Sequence, residues 1–186
     1  MTNVVIVGAQ WGDEGKGKIV DLLSHGSLVV IPDVAYPLNV KYDVDVRYNG
    51  AHNAGHTVKV RDETYKLHHI PSGIVSGKEC IIGNGLAVNP KILIDEIEGL
   101  EKRGISTDKL CLSSKAHVIF PYHEIFDGIG GKKIGTTKRG VGPAYEDKSA
   151  RRGIRVEDLL LSEDELCEKI EAALEDKNFL LEFKYG

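Results

Sequence analysis

Short apolar runs alternate with amphipathic patterns along this 186-residue chain. The first run, Val4–Val7, is β-branched and ends at Gly8, which is typical of a buried strand. A helical pattern over Lys16–Leu23 follows it. Further strands are predicted at Leu28–Ile31, Val44–Tyr48, Cys80–Ile82, Leu110–Leu112 and Val118–Phe120, with a hairpin of Val58–Val60 and Tyr65–His69. This alternation predicts an α/β fold with a mainly parallel central sheet and flanking helices.

Two later helices carry clear terminal signals. One starts at Pro90, has Leu93, Ile97 and Leu100 on one face, and ends before Gly104. The other follows Ser162, which forms a capping-box pattern with Glu165, and Leu166, Ile170, Ala173 and Leu174 line its apolar face. The Pro-containing segment 32–43 predicts a surface excursion.

The overall composition excludes several classes of protein. A net charge of −4 and a pI near 6.0 argue against nonspecific nucleic-acid binding. No apolar stretch is long enough to span a bilayer, and no signal-peptide pattern precedes the first strand. Cys80, Cys111 and Cys167 are few, odd in number and without metal-ligand spacing, which favours a reducing compartment. We therefore predict a cytoplasmic protein with neither nucleic-acid nor membrane partners.

The segment Gly8–Lys18 has the composition of a phosphate-binding loop. Glycines between a strand and a helix start allow backbone N–H groups and the helix dipole to face an anion. Residues 12–18 match G-x-x-x-x-G-K, but Ile19 replaces the Ser or Thr that holds Mg²⁺ in a P-loop. Asp13 is instead a candidate metal ligand, general base, or both, unless it merely caps the helix. The segment predicts a P-loop-like nucleotide-binding architecture.

Two further segments combine small residues with ionisable ones. Asn49–Thr57 follows a strand, and its small residues allow close approach of a ligand, while His56 could transfer a proton near neutral pH. The alternative is an ordinary loop histidine bonded to backbone. Residues 134–153 form a predicted loop with glycines, hydroxyls and several cations, suited to a second anion such as a 5′-phosphate. The alternative there is a solvated charged loop.

Taken together and in this order, the segments resemble one family, the adenylosuccinate synthetases. Its N-terminal signature is similar to Gln10–Gly17, and its second signature is similar to Gly140–Arg151. Asn53–Thr57, Ile70–Gly73 and Ile82–Gly85 also follow the family. The resemblance implies a GTP-dependent ligase of AMP and purine biosynthesis, with IMP, GTP and L-aspartate as substrates. It implies Mg²⁺ as cofactor and a homodimer in which Arg151 reaches the IMP phosphate of the neighbouring subunit.

The resemblance also implies roles for individual residues. Asp13 would be the general base, His56 the acid that stabilises the transferring group, and Lys148 belongs to the second signature as a catalytic residue. The metal ligands would be Asp13 and the carbonyl of Gly55. GTP would contact Gly12, Asp13, Glu14, Gly15, Lys16, Gly17, Lys18, Gly55, His56 and Thr57. IMP would contact Asp13, Glu14, Gly15, Lys16, Asn53, Ala54, Gly55, His56, Thr137 and Arg151.

Two features depart from the family pattern. Residues 31–43 look like an insertion, and no N-K-x-D guanine-reading motif occurs in the sequence. The apolar groups at Phe179–Leu181, Phe183 and Tyr185 require a covering surface, from a neighbouring subunit or from further chain. We therefore expect residues 1–186 to be the N-terminal part of a synthetase whose C-terminal part is absent. The alternative function is a nucleotide-binding module without turnover, and a plain P-loop GTPase or ATPase is a third hypothesis.

Overall fold

The structure is a computed structural model that describes residues 3–8, 16–24, 42–60, 63–130 and 135–185. Its helices are α1 (Lys16–Ser24), α2 (Pro90–Glu101), α3 (Pro121–Gly130), α4 (Val141–Ser149) and α5 (Glu163–Leu180). Its strands are β1 (Val44–Gly50), β2 (His56–Val60), β3 (Glu63–Leu67), β4 (Glu79–Val88), β5 (Leu110–Leu112) and β6 (His117–Val118). Short 3₁₀ helices lie at Ser72–Ser76 and Val156–Leu160, and a π-helical turn at Leu181–Tyr185 follows α5.

The chain divides into two compact units. The first comprises Met1–Arg47, Ala54–Ile82 and Lys91–Cys111, and the second comprises Tyr48–Asn53, Gly83–Pro90 and Leu112–Gly186. Among the described strands, one sheet has the order β1–β4–β5, with β6 pairing with β4, and β2 and β3 form a separate pair. Within the part of the chain described, no helix is both long and apolar enough to cross a membrane.

In the first unit, an antiparallel hairpin carries the end of the histidine segment, which is Asn49–Thr57. β2 and β3 pair from His56 opposite Leu67 to Val60 opposite Glu63. Their inward side chains, Val58 and Leu67, are almost fully buried, as is Ile70 just beyond β3. This agrees with the predicted hairpin, because alternate residues of a strand face the core. Helix α2 begins at Pro90 as predicted, and Gly104 after it has a φ of +77° that favours glycine.

In the second unit, β4 and β6 run parallel, with Ala87 opposite His117 and Val88 opposite Val118. The core cluster of this unit is made of small and β-branched residues, namely Ala51, Ala87, Ile119 and Ala144. Small side chains here allow α4 to pack closely on its neighbours. The predicted capping box at the start of α5 is present, since Ser162 N–H donates to Glu165 Oε2 over 3.1 Å.

Some local predictions are wrong and others fall outside the described residues. Val4–Val7 is not a strand: Val4, Val5 and Val7 are 43%, 70% and 72% exposed, and no described strand pairs with them. The charged segment 134–153, which was predicted as a loop, contains helix α4. Its proline, Pro143, is compatible with the helix because it lies in the first turn, where a proline is tolerated. The predicted strand Leu28–Ile31 and most of the predicted insertion at 31–43 lie outside the described residues. Phe179 and Phe183 are 60% and 75% exposed, as their apolar pattern led us to expect.

Candidate functional site

Helix α1 begins where the sequence places the end of the phosphate-binding segment. Its first residues are Lys16 and Gly17, so the positive end of its dipole lies at the predicted anion site. The side chain of Lys16 is exposed. The preceding predicted site residues Gly12, Asp13, Glu14 and Gly15, and the side chain of Lys18, lie outside the described residues.

The start of α1 packs directly against the histidine segment. A Cβ atom placed on Gly17 would lie 2.9 Å from the Cβ of His56, closer than real Cβ contacts come. Only glycine therefore fits at this position without movement of the neighbouring backbone. The structure thus brings together two segments that the sequence singled out separately, the phosphate-binding segment and the histidine segment.

The His56 side chain is half-buried at the start of β2. It donates to the backbone carbonyl of Ile70, while its Nε2 atom is buried and has no hydrogen-bond partner among the described residues. Burial, followed by the positive charge of Arg47, lowers the pKa of His56 to about 4. The ring is therefore neutral at pH 7.

The backbone next to His56 packs closely against a neighbouring histidine. A Cβ on Gly55 would lie 2.8 Å from Cε1 of His68, so the chain is tightly packed at this position. Asn53, Ala54 and Thr57 are exposed, and Thr57 lies in the β2–β3 hairpin opposite Lys66. These exposed residues therefore flank a half-buried histidine, and their contacts with a ligand stay a prediction.

Glu96 is an important residue of this region that sequence reasoning missed. Its carboxylate accepts three consecutive backbone N–H groups, from His68 at 2.6 Å, His69 at 2.9 Å and Ile70 at 3.4 Å. Burial raises the pKa of Glu96, although the hydrogen bonds oppose that rise. Arg47 donates to the carbonyl of His68 in the same segment. In the sequence, Glu96 is one of several acidic residues on α2 and gives no signal of this role.

The second signature forms α4, whose side chains hold backbone carbonyls of the second unit. Tyr145 Oη accepts the Gly50 N–H at 2.8 Å and lies 2.9 Å from the carbonyl oxygens of Gly50 and Gly85. Lys148 Nζ donates to the carbonyls of Asn84 at 2.9 Å and Gly85 at 3.1 Å. Burial, and then the charge of Arg155, lower the pKa of Lys148. The contacts of the predicted catalytic lysine are thus with backbone carbonyls, and its catalytic role stays a prediction.

The other predicted anion-binding residues lie on either side of α4. Thr137 and Arg151 are both exposed, and Arg151 follows the helix with a φ of +61°. A left-handed backbone at a residue other than glycine is uncommon, and such residues cluster at functional sites. Arg139, in the segment before α4, donates to the carbonyl of His52.

A buried ionic cluster on α4 was also missed. Asp147, His123 and Lys177 are 1%, 1% and 4% exposed. The carboxylate accepts from Lys177 at 2.7 Å, from Arg152 at 3.0 Å and from His123 at 3.1 Å. Burial by itself raises the pKa of Asp147, but the hydrogen bonds from His123, Lys177 and Arg152 together hold it well below its usual range. The sequence signal was only the position of Asp147 inside the second signature.

The comparisons with known proteins point to one family. The family model described as adenylosuccinate synthetase matches residues 5–185. Curated adenylosuccinate synthetases from Geobacillus kaustophilus and Bacillus subtilis are 52% and 51% identical to this chain, over 100% of its length. The chain spans 41% of the length of each of these relatives.

Solved structures give the same result. The fully ligated adenylosuccinate synthetase from Plasmodium falciparum has a TM-score of 0.75 and 38% identity, over 96% of this chain and 40% of its own. The succinoaminodeoxyadenylate synthetase of cyanophage S-2L, bound to dGMP and dATP, has a TM-score of 0.58 and 25% identity. It matches over 76% of this chain and 36% of its own. On the match of residues 5–185 to the family model and the identity to curated relatives, this chain belongs to the adenylosuccinate synthetase family.

Proposed function

We propose that this chain supplies the phosphate-binding and proton-transfer residues of an adenylosuccinate synthetase, the GTP-dependent ligase that joins L-aspartate to IMP. The observation that carries the proposal is the packing of the α1 N-terminus against His56, whose Nε2 atom has no partner among the described residues. A helix N-terminus attracts phosphate, and the His56 side chain packs against it. The relatives named above support the same assignment.

In the proposed first step, Asp13 removes the N1 proton of IMP. The O6 atom of IMP then attacks the γ-phosphorus of GTP, so that an O6–P bond forms and the bond to GDP breaks. Developing charge on the transferring group needs hydrogen-bond donors and cations held in place. We assign that function to the lysines at the start of α1 and to His56, which would act as the acid in its protonated form. Thr137 and Arg151 are assigned to IMP, with Arg151 reaching a neighbouring subunit of a homodimer.

In the proposed second step, the amino group of L-aspartate attacks C6 of 6-phosphoryl-IMP. The C6–N bond forms, the C6–O bond breaks and phosphate leaves, which gives adenylosuccinate. GTP contacts are proposed at the residues between Gly12 and Lys18 and between Gly55 and Thr57. Two of the three free cysteines, Cys111 and Cys167, are exposed, which supports a reducing, cytoplasmic location for this activity.

Magnesium fits the donor types proposed for it. The proposed ligands are the carboxylate of Asp13 and the carbonyl of Gly55, and oxygen donors of these kinds are what Mg²⁺ prefers. Among the described residues, no group of three or more His, Cys, Asp or Glu side chains could hold a metal. One carboxylate and one carbonyl, completed by nucleotide phosphates, would form an all-oxygen set of ligands. When bound, Mg²⁺ would neutralise phosphate charge.

Trp11 allows a direct test, because it is the only tryptophan and lies in the phosphate-binding segment. We would titrate the chain with IMP and then with GTP and Mg²⁺, following Trp11 fluorescence in the parent and in Asp13→Ala and His56→Asn. The matched control is Asp108→Ala, which removes an exposed carboxylate from the same unit. Saturable responses weakened at least tenfold by the two site variants alone would support the proposal.

Turnover distinguishes the alternative functions. GDP release that requires IMP, with adenylosuccinate formed when L-aspartate is added, is the expected result. Saturable binding without turnover would indicate a nucleotide-binding module, and GTP hydrolysis without IMP would indicate a plain GTPase. The absence of any fluorescence response from the folded chain would contradict the proposal.

A further inference from the structure

The hydroxyl group of Tyr145, on α4, holds the end of β1 in the second unit. Its oxygen accepts the Gly50 N–H at 2.8 Å and lies 2.9 Å from the carbonyl oxygens of Gly50 and Gly85. The single hydroxyl proton is donated to one of these carbonyls at a time. One side-chain atom, 95 positions further along the chain, therefore binds the backbone of Gly50 and ties it to β4.

The backbone that follows Gly50 has no regular partner. Gly50 is the last residue of β1 and has a φ of +94°, which favours glycine. Residues 51–54 belong to neither a helix nor a strand, so their polar backbone groups need partners of another kind. The Tyr145 hydroxyl supplies one at Gly50, and Arg139 supplies a second by donating to the carbonyl of His52. Residues 50–53, the Gly50–Asn53 segment, are thus held at two points by side chains from elsewhere in the same unit.

The Gly50–Asn53 segment is buried at its centre and exposed at its end. Ala51 and His52 are 0% and 3% exposed, and Ala51 belongs to the core cluster against which the Tyr145 ring packs. Asn53 is exposed. An exposed polar residue therefore lies at the end of a segment whose preceding residues are fixed in the core.

We propose that Tyr145 is a positioning residue: its hydroxyl fixes the Gly50–Asn53 segment and thereby places Asn53 for IMP. The importance for IMP rests on the proposed function, which assigns Asn53 to that nucleotide. A group that is already held in place loses less conformational freedom when a ligand binds. Removal of the hydroxyl should therefore weaken the binding of IMP. It should change the binding of GTP little, because GTP is assigned to residues 12–18 and 55–57.

The first measurement is amide hydrogen exchange of the whole chain without nucleotide, followed by NMR. Tyr145→Phe keeps the ring and removes the hydroxyl. The matched control, Tyr122→Phe, removes a buried hydroxyl of the same unit that has no hydrogen-bond partner among the described residues. Exchange at residues 50–53 should be about tenfold faster in Tyr145→Phe than in the parent and in the control. Exchange at Val118, whose N–H donates to the Ile154 carbonyl at 2.8 Å, should be the same in all three.

Two exchange results would overturn the proposal. One is a folded Tyr145→Phe in which residues 50–53 exchange as slowly as in the parent. The other is an equal acceleration at Val118, because the substitution would then lower the stability of the whole unit and not of the segment. If Tyr145→Phe does not fold, Gly50→Ala replaces it, since alanine is strained at this φ and breaks the same contact from the backbone side. The same pattern of exchange is expected, and its absence would overturn the proposal.

The second measurement separates this inference from the proposed function. Calorimetric titrations with IMP alone, and with GTP and Mg²⁺ alone, should give an IMP Kd about tenfold higher in Tyr145→Phe, which corresponds to about 1.4 kcal/mol. The GTP Kd should be that of the parent, and Tyr122→Phe should change neither. An unchanged IMP Kd in Tyr145→Phe would overturn the positioning of Asn53 and leave the proposed function standing. If the folded parent binds no IMP, the proposed function is contradicted, and the exchange measurement alone decides whether Tyr145 fixes the segment.

Discussion

The buried cluster around Asp147 allows a quantitative test of how α4 is held in the second unit. The perturbation is Asp147→Asn, which keeps the side-chain shape and removes the charge. Oδ1 of the carboxylate accepts from Lys177 Nζ at 2.7 Å and Arg152 Nε at 3.0 Å, and Oδ2 faces His123 Nε2 at 3.1 Å. An amide has one acceptor oxygen and one NH₂ group. It cannot accept hydrogen bonds on both sides.

His123 cannot adapt to the amide by changing its protonation. Its Nδ1 accepts the Phe120 N–H at 2.9 Å, so Nδ1 carries no proton and Nε2 is the donor to Asp147. Moving the proton to Nδ1 would place two donors against each other at Phe120. An amide NH₂ group facing His123 would do the same on the other side of the ring. The substitution therefore leaves a buried N–H without an acceptor, which costs about 1–3 kcal/mol.

The larger contribution to the free energy of unfolding comes from Lys177. Its side chain is 4% exposed, and the loss of its carboxylate leaves a buried ammonium without a counter-ion. Such a loss costs about 3–5 kcal/mol in buried pairs. Arg152 has a side chain that is 40% exposed and also contacts Asp176 at 3.4 Å, so its share is small. We expect Asp147→Asn to lower the free energy of unfolding by about 3–5 kcal/mol.

A second substitution distinguishes charge from shape. Lys177→Met removes the unpaired ammonium and keeps an apolar chain beside Tyr122 and Phe126, whose ring centroids lie 6.0 and 5.4 Å from Nζ. Replacing both partners of a buried pair is often close to neutral. The double variant should therefore be more stable than Asp147→Asn alone. The coupling free energy should be about 1–3 kcal/mol, as for residues in direct contact.

The assay is urea unfolding at pH 7, followed by circular dichroism, for the parent, both single variants and the double variant. The control is Lys102→Met, which breaks an exposed pair with Glu98 on α2 and should change stability by less than about 0.5 kcal/mol. The reasoning is refuted if Asp147→Asn costs less than about 1 kcal/mol. It is equally refuted if the loss in free energy of unfolding of the double variant equals the sum of the losses of the two single variants.

Three further predictions concern the pH dependence of stability, the close packing at Gly85 and the cap of α5. The pKa of Asp147 in the folded chain lies below its usual 3.8, so the stabilisation from its carboxylate is present above that pH and is lost as the pH falls below it. The urea midpoints of the parent and of Asp147→Asn should therefore converge in acid. A difference between the two midpoints that stays constant with pH would contradict this. In Gly85→Ala the new Cβ would overlap with the Tyr48 carbonyl, so thermal unfolding should show a free energy of unfolding lowered by about 1–3 kcal/mol. The control Gly99→Ala has open space around the new Cβ and should raise the free energy of unfolding by up to about 1 kcal/mol. Ser162→Ala removes the α5 cap and should cost about 1 kcal/mol in urea unfolding, and no change would argue against the capping box.

Local patterns in the sequence predicted the parts of the fold that depend on neighbours along the chain. The α5 capping box and the β2–β3 hairpin are examples, because their interactions join residues a few positions apart. The prediction of a strand at Val4–Val7 was wrong for the opposite reason. A strand needs a partner strand, and the β-branched composition of a segment does not say whether one is present.

The residues that hold the site in place were harder to predict than the candidate site residues. Glu96 contacts residues 26–28 positions away, and Asp147 and Lys177 are 30 positions apart. In sequence, each is a charged residue in a helix, where an exposed position is the ordinary expectation. His56 was recognised because glycines and a second histidine surround it. Glu96 has no such neighbours, and only the tertiary fold shows the three N–H groups that it accepts.

The contacts of α4 change how the second signature is interpreted. Gly140, with a φ of +71°, leaves no room for a Cβ beside His123, and Tyr145, Asp147 and Lys148 each bind groups within their own unit. These contacts account for Gly140, Tyr145, Asp147 and Lys148 by the fold of their own unit. Arg151, by contrast, is exposed and has a left-handed backbone, and no described residue is hydrogen-bonded to or ion-paired with its side chain. A long signature can therefore identify a family while many of its residues serve the fold, and each residue's role must come from its contacts rather than from its membership in the motif.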